Sequence, residues 1–173
     1  MGFRSHKTFF PDAQFSAVFS LYLGYVKSMK RYGAPVRSDV YYRPRPGAYG
    51  IILRRNQVLL TREALLNVEI QLPGGGIDAG ESALQALHRE CLEETGWKVQ
   101  IDLRLGAYQR FTYMPDYGFW AQKICHIYIC RPVYKRHEPL EDFHSVLWAD
   151  FDTAPDLLSN EGDRDFLYAA LRR

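Results

Sequence analysis

Apolar positions along the chain recur with two different periods, and these periods predict which segments are strands and which are helices. Apolar runs at 48–53 and 57–61, separated by Arg54, Arg55 and Asn56, are typical of a β-hairpin. Further short strands are predicted at 69–72, 97–103, 106–112, 124–132 and 146–149. Spacing of three and four residues predicts helices at 13–31, 82–96, 152–159 and 163–171.

Strands that surround one internal helix, with further helices at both ends, predict an α/β fold in which a mixed sheet is sandwiched between helices. Residues 1–44 form a predicted N-terminal helical extension, and residues 45–173 form the main domain. The aromatic stripe of the extension favours a helix that covers the core of the domain, and the alternative is a contact in a homodimer.

The stretch from Gly74 to Trp97 is unlike the rest of the chain, because a glycine cluster precedes its helix. Pro73 and the glycines at 74, 75, 76 and 80 predict a sharply bent loop outside any regular element. Ser82 followed by Gln85 predicts a capping box at the start of the helix, and Gly96 is expected to end it.

Three carboxylates fall on or beside the apolar stripe of this helix, which consists of Ala83, Ala86, Leu87 and Cys91. On a helical wheel Glu94 lies between Ala83 and Leu87, and Glu90 and Glu93 lie at the margins of the stripe. A desolvated carboxylate is costly unless a cation pairs with it, and Arg89 alone does not balance three acids. Because hard oxygen ligands suit Mg²⁺ or Mn²⁺, the helix is predicted to carry a metal site.

The same residues match a known pattern, which reads Gly75, five residues, Glu81, seven residues, then Arg89 to Trp97. This resembles the Nudix box of the MutT-like hydrolases, Gx5Ex7REUxEExGU, where U is bulky and apolar. Every fixed position agrees. The one soft departure is Cys91, where an aliphatic residue is usual, and we expect only a packing consequence because cysteine is also apolar.

The resemblance implies a Nudix-type α/β/α sandwich and Mg²⁺-dependent, or Mn²⁺-dependent, hydrolysis of a diphosphate linkage. The expected substrate is a nucleoside diphosphate joined to another moiety, either a nucleotide sugar such as ADP-ribose or a nucleoside triphosphate. Carried over by position, the expected catalytic residues are Glu90 and Glu93, with a residue outside the box as an alternative general base. The expected metal site comprises Glu90, Glu93, Glu94 and Gly74.

The remaining box residues have predicted structural roles. Glu81 lies at the start of the helix, where the helix dipole stabilises a negative charge, and contact with the metal is the alternative. Arg89 is expected to orient the acids, since Glu93 lies one turn away. Gly75 lets the backbone approach the phosphate or the metal closely, and Gly96 stops the helix.

Residues outside the box are weaker candidates for substrate binding, and the sequence does not choose among substrates. Cationic and aromatic side chains could hold phosphates and stack a base; they are Arg45, Arg54, Arg62, Tyr113, Tyr117 and Trp120. Glu138 and Glu141 lie in a charged segment that also contains His137, Asp142 and His144, and either acid could complete the site.

Charge, apolar segments and cysteine count limit the kinds of partner and the cellular compartment that are expected. A net charge of +2 is too small to indicate a nucleic acid or an anionic membrane as partner. The uncharged segment 13–26 is shorter than the roughly 20 residues of a membrane span. Three cysteines argue against a disulfide framework, so a reduced, cytoplasmic protein is expected.

Two readings compete with hydrolysis. A Nudix-fold regulatory module would bind a nucleotide without hydrolysing it, but such modules often lose box acids and carry a DNA-binding domain. Here every box acid is present, and one helix in the extension is too little for a helix-turn-helix. An isomerase of isoprenoid diphosphates is disfavoured because relatives of that kind deviate within the box.

Overall fold

The computed structural model of the protein describes Gly24, residues 29–64 and residues 68–173. Its elements in chain order are β1 (Arg31–Tyr32), β2 (Arg43–Arg54), β3 (Gln57–Ala64), β4 (Val68–Gln71), β5 (Gly74–Gly76), α1 (Ala83–Thr95), β6 (Trp97–Met114), a 3-10 turn (Pro115–Tyr117), β7 (Phe119–Lys135), β8 (His144–Asp150), α2 (Ala154–Leu157) and α3 (Glu161–Leu171).

The described strands form one mixed sheet with the order β1-β6-β7-β2-β3-β4, in which β5 also pairs with β2 and β8 with β3. Two pairs are parallel, β1 with β6 and β2 with β7, and the others are antiparallel. Apolar residues alternate between the two faces along β2. Ala48 and Ile52 pack in a cluster with α1, whereas Tyr49 and Ile51 pack in a cluster with α3. The predicted α/β sandwich with a mixed sheet is therefore confirmed.

The predicted hairpin is also confirmed, with β2 and β3 in register from Ile52↔Leu59 to Arg54↔Gln57. Its turn is shorter than expected because only Arg55 and Asn56 lie between the strands, and Arg55 has a positive φ of 56°. The predicted strands 97–103 and 106–112 form the single strand β6. Its register against β7 shifts at three places, and the last shifts interrupt the apolar alternation on which the prediction depended.

Helical segments near the C-terminus differ from the prediction in their bounds. The helix expected at 152–159 is reduced to Ala154–Leu157, because Leu158 is extended. The last helix begins at Glu161 rather than at 163. Asn160 caps it, because its side chain accepts a hydrogen bond from the Asp163 backbone N–H. Within the described part of the chain, no helix has the length and apolar character of a membrane span.

Most of the predicted N-terminal helix lies outside the described residues. Its predicted end at Arg31 is wrong, because Arg31 and Tyr32 are β1 and pair with Gln109 and Arg110 of β6. Met29 is buried against Ile124. The division of the chain at residue 44 and the packing of the extension stay predictions.

Candidate active site

Helix α1 has the ends that its sequence predicts. Ser82 accepts from the Gln85 backbone N–H, the Gln85 side chain accepts from the Ser82 N–H, and Gly96 closes the helix in the left-handed conformation. A side chain at Gly96 would overlap the His137 carbonyl, since a Cβ there would lie 1.8 Å from its oxygen. This close contact holds the segment after β7 against the end of the helix, where the Leu140 N–H donates to the Glu93 carbonyl.

Three of the four glycines before the helix do not form the bent loop that was predicted, whereas Gly80 does lie in a turn, with a positive φ of 84°. Gly74–Gly76 is strand β5, which pairs antiparallel with Gly47–Tyr49 of β2. Backbone comes close to Gly74, and a side chain comes close to Gly75. A Cβ on Gly74 would lie 2.2 Å from the Ala48 carbonyl oxygen, and a Cβ on Gly75 would lie 2.6 Å from the Glu90 carboxylate. The glycines therefore admit the backbone of β2 and the carboxylate of α1 to the same strand.

Arg89 connects three of the box acids through one guanidinium group. Its Nε and Nη2 donate to Glu81 at 3.0 and 2.9 Å, and its Nη1 donates to Glu90 at 2.8 Å and to Glu93 at 3.3 Å. Its Nη2 also donates to the Gly76 carbonyl at 3.0 Å, which ties α1 to β5. Arg89 therefore lies beside Glu93, as predicted.

Glu81 is held by this ion pair and by a backbone hydrogen bond, and the role of the helix dipole stays a prediction. Its carboxylate accepts from Arg89 and from the Asp78 N–H, whereas the free N–H at the helix start is taken by Ser82. The Arg89 guanidinium is the main reason why the pKa of Glu81 lies below its usual range.

Glu94 is the acid with the least compensation, as its place on the wheel predicts. It is 7% exposed, accepts from the Gly74 N–H at 2.9 Å, and lies 3.8 Å from Nε2 of His144. Burial raises the pKa of Glu94 well above its usual value, and burial also raises the pKa of Glu90 although Arg89 opposes that shift.

The acids of α1 open into a cavity of about 700 Å³. Other carboxylates in its lining come from Glu63, Glu69, Asp78 and Glu141. The lining also contains four cations, which are Arg45, Arg89, Arg110 and Lys123. A cavity whose wall contains both acids and cations suits a ligand that brings both a metal ion and phosphate groups.

The donor chemistry of the α1 acids fits a hard divalent cation, although no three metal-ligand side chains already converge among the described residues. Two of these acids, Glu90 and Glu93, are instead ion-paired with Arg89. Glu94 itself faces the same cavity with a buried carboxylate whose only hydrogen-bond donor among the described residues is the Gly74 N–H. A divalent cation would supply the positive charge that this buried carboxylate lacks.

Three of the weaker candidates line this cavity. Tyr117 hydrogen-bonds to Nη2 of Arg45 at 3.3 Å, and the guanidinium lies 4.8 Å from the centre of the Tyr117 ring. Glu141 lies 3.2 Å from Nδ1 of His144, whose other ring nitrogen faces Glu94. The structure therefore brings Arg45, Tyr117 and Glu141 together with the box acids.

The other weaker candidates lie outside the cavity lining. Arg54 stacks on Trp148, 3.8 Å from the ring centre, and Glu138 forms an ion pair with Lys135. Trp120 packs against Tyr113 with 5.4 Å between ring centres.

Strand alternation explains the position of the last candidate. Arg62 is exposed, whereas the next residue of β3, Glu63, faces the cavity. The sequence alone did not show which face of β3 lines the cavity.

Sequence reasoning also missed cavity residues, above all Lys123, Arg110 and Glu63. The available signal was period-two alternation, since each is a charged residue within or beside a predicted strand. Alternation alone does not tell which strands become neighbours, so it could not show that these side chains meet.

Comparison with known proteins gives one family match, in which the model of the NUDIX domain matches residues 43–170. A Bacillus subtilis (strain 168) protein provisionally named an 8-oxo-dGTP diphosphatase is 42% identical over 64 residues, which are 37% of this chain and 43% of that protein. An RNA pyrophosphohydrolase of Edwardsiella ictaluri (strain 93-146) is 49% identical over 58 residues, which are 34% of this chain and 32% of that protein. The chain thus spans less than half the length of the curated relatives it matches.

A solved structure is similar over most of the chain. The NUDIX hydrolase from Nitrosomonas europaea superposes with a TM-score of 0.62 and 21% identity, covering 76% of this chain and 92% of that one. At this identity the likeness concerns the fold alone.

Proposed function

Because the chain belongs to the NUDIX family, we propose that its cavity hydrolyses a diphosphate linkage in a nucleoside diphosphate derivative with the help of Mg²⁺ or Mn²⁺. Glu90, Glu93 and Glu94 hold the cation in this proposal, and the backbone of Gly74 supports the site beside Glu94. A cation held there would neutralise phosphate oxygens and lower the pKa of a bound water.

The observation that carries the proposal is the burial of Glu94. Its carboxylate is 7% exposed, and the nearest cationic candidate among the described residues, His144, lies 3.8 Å away. A buried carboxylate without a strong partner lowers stability, so its retention fits a ligand that arrives from solution. A divalent cation is the ligand that oxygen donors of this kind prefer.

Arg89 has a positioning role in this proposal. Its contacts to Glu81 and Gly76 fix the guanidinium, and its contacts to Glu90 and Glu93 hold these two acids in the cavity. These ion pairs limit the repulsion between the two carboxylates, which a bound cation would also reduce.

Glu141 is the candidate outside the box for orienting or deprotonating water. It reaches the cavity from the segment before β8, and its side chain is 56% exposed. The imidazole of His144 lies between Glu141 and Glu94, 3.2 Å from the first and 3.8 Å from the second. Glu90 and Glu93 remain the alternatives within the box.

The test is a screen with Mg²⁺ that includes ADP-ribose, nucleoside triphosphates and 5′-triphosphorylated RNA. Nucleoside triphosphates and RNA are included because of the names of the two curated relatives. No nucleic-acid partner was expected from the charge of the chain. We expect release of a nucleoside monophosphate, or of pyrophosphate, from at least one substrate and no release by Glu90→Gln. Tight nucleotide binding without turnover of any substrate would instead identify a regulatory module.

The proposal extends to the cellular setting. Cys91, Cys125 and Cys130 are free and buried, which fits a reducing compartment such as the cytoplasm. The homodimer stays a prediction.

A further inference from the structure

Three cations stand in one row across neighbouring strands of the sheet. Arg45 of β2 is in register with Lys123 of β7, and Lys123 is in register with Arg110 of β6. Residues in register on neighbouring strands point to the same face, so the three side chains are adjacent. All three line the cavity that contains the α1 acids. We call Arg45, Lys123 and Arg110 the basic row.

The basic row is unfavourable for the fold by itself. Like charges directly opposite each other on neighbouring strands repel and lower stability. None of the three forms an ion pair with an acid among the described residues. Two of them contact aromatic rings instead: Arg45 lies over the Tyr117 ring, and the Lys123 ammonium lies 5.6 Å from the centre of the Tyr49 ring. The row therefore keeps its positive charge available to a ligand.

The basic row begins directly beside the acids of α1, with only strand β5 between them. A Cβ on Gly76 would lie 3.0 Å from Nη2 of Arg45, so the guanidinium covers that residue. On the same residue the carbonyl accepts from Arg89, which holds Glu90. A ligand whose diphosphate lies at the acids and their cation can therefore extend along the sheet to Arg45 and Lys123.

The charge of the row selects the part of the ligand that reaches it. Two inter-strand spacings separate the outer members, so the row spans about 10 Å. A neutral sugar or base placed there would desolvate the cations without pairing them, which is costly. A phosphate group accepts charge-assisted hydrogen bonds from arginine and lysine and pairs with both.

We propose that the basic row is a phosphate subsite, and that the substrate carries at least one phosphate beyond the diphosphate at the acids. The substrate class is then a nucleoside with three or more phosphates, rather than a nucleotide sugar with a neutral second moiety. This inference rests on the proposed function for the identity of the reaction, but anion binding by the row requires neither turnover nor a metal ion.

The first experiment measures binding of inorganic tripolyphosphate by calorimetry in excess EDTA, so that no metal contributes. We expect Lys123→Met and Arg45→Gln each to bind about tenfold more weakly than the wild-type protein, since a hydrogen bond to a charged group contributes roughly 1.5–3 kcal/mol. Lys135→Met is the matched control, because Lys135 is an exposed lysine of the same strand outside the cavity. Its affinity should equal that of the wild-type protein.

The second experiment compares kcat/KM for a nucleoside triphosphate and for ADP-ribose in Mg²⁺. Lys123→Met should lower the triphosphate value about tenfold and leave the ADP-ribose value within about twofold. Glu90→Gln should abolish turnover of both and still bind tripolyphosphate, which separates failure of the proposed reaction from failure of the subsite. Arg45→Gln gives an independent result if Lys123→Met does not fold, because Arg45 is half-exposed.

Two results would overturn the subsite. One is wild-type affinity for tripolyphosphate in both row variants. The other is an equal loss of kcat/KM for both substrates, which would mean that the row supports the reaction centre rather than an additional phosphate.

Discussion

Replacing Glu94 by glutamine should separate the metal role of this residue from any structural role. The amide keeps the size of the side chain and can still accept the hydrogen bond from the Gly74 N–H. It removes a buried negative charge that Glu90 and Glu63 already repel. We therefore expect Glu94→Gln to lose turnover and, without metal, to be at least as stable as the wild-type protein.

The expected size of the stability change follows from two opposing terms. Exchanging a charge-assisted hydrogen bond for a neutral one costs about 1 kcal/mol. Removing an ionised carboxylate that is 7% exposed gains several kcal/mol, reduced because the carboxyl group can take up a proton. The net gain in the free energy of unfolding is about 1–3 kcal/mol. For a domain of this size, this corresponds to an increase in Tm of roughly 2–12 °C.

Two measurements on one sample test this prediction. Thermal unfolding at pH 8 in EDTA reports stability, and initial rates in Mg²⁺ report activity, which should fall about 100-fold or more because a neutral amide is a weak ligand for a hard cation. A surface ion-pair residue would behave differently, with little loss of activity and up to about 1 kcal/mol loss of stability. An active but destabilised Glu94→Gln protein would refute the reasoning.

Three other substitutions test the arrangement around the site. Gly75→Ala should keep the fold and lower kcat. The new Cβ would lie 2.6 Å from the Glu90 carboxylate, which would have to move. Arg89→Lys should lower kcat about tenfold or more, since an ammonium cannot keep the several contacts of the guanidinium. Tyr108→Phe should lower the free energy of unfolding by about 1–3 kcal/mol at pH 8, because it removes a 2.7 Å hydrogen bond to the buried Asp163.

The Tyr108→Phe loss should be smaller near pH 4.5. Burial raises the pKa of Asp163, and the Tyr108 hydroxyl opposes that shift, so the substitution raises the pKa of Asp163 further. An acid whose pKa is raised by folding stabilises the folded state at low pH, and this stabilisation is lost as the pH rises from 3.8 through the folded pKa. Unfolding curves at the two pH values give the result. An equal loss of unfolding free energy at both pH values would exclude the hydrogen bond to Asp163 as the cause.

A control for Gly75→Ala comes from the same stretch of chain. Gly80→Ala meets open space and strains only a positive φ of 84°, so it should cost stability without a specific loss of kcat. An unchanged kcat in Gly75→Ala would show that Glu90 need not lie against β5. An unchanged kcat in Arg89→Lys would show that a single charge at this position is sufficient.

Helix α1 and its acids could be predicted because their information is local. The capping box, the stop at Gly96 and the burial of Glu94 follow from residues within a few turns of each other. The same is true of the β2–β3 hairpin. Its two strands and its turn are contiguous in the chain.

The basic row could not be predicted, because it depends on strand register between segments far apart in the chain. Arg45, Arg110 and Lys123 become neighbours only when β7 pairs with β2 on one side and β6 on the other. The glycine strand β5 was mistaken for a loop for a related reason. Glycine propensity reports conformational freedom, whereas these glycines serve close approach to β2 and to Glu90.

The initial rate of hydrolysis as a function of free Mg²⁺ tests the central claim most directly. That claim is that the carboxylates of α1 act by holding a divalent cation. We predict no turnover in excess EDTA, a rate that rises and saturates as Mg²⁺ or Mn²⁺ is restored, and no such rise in Glu94→Gln over the same range. Full turnover of any good substrate in excess EDTA would contradict the account.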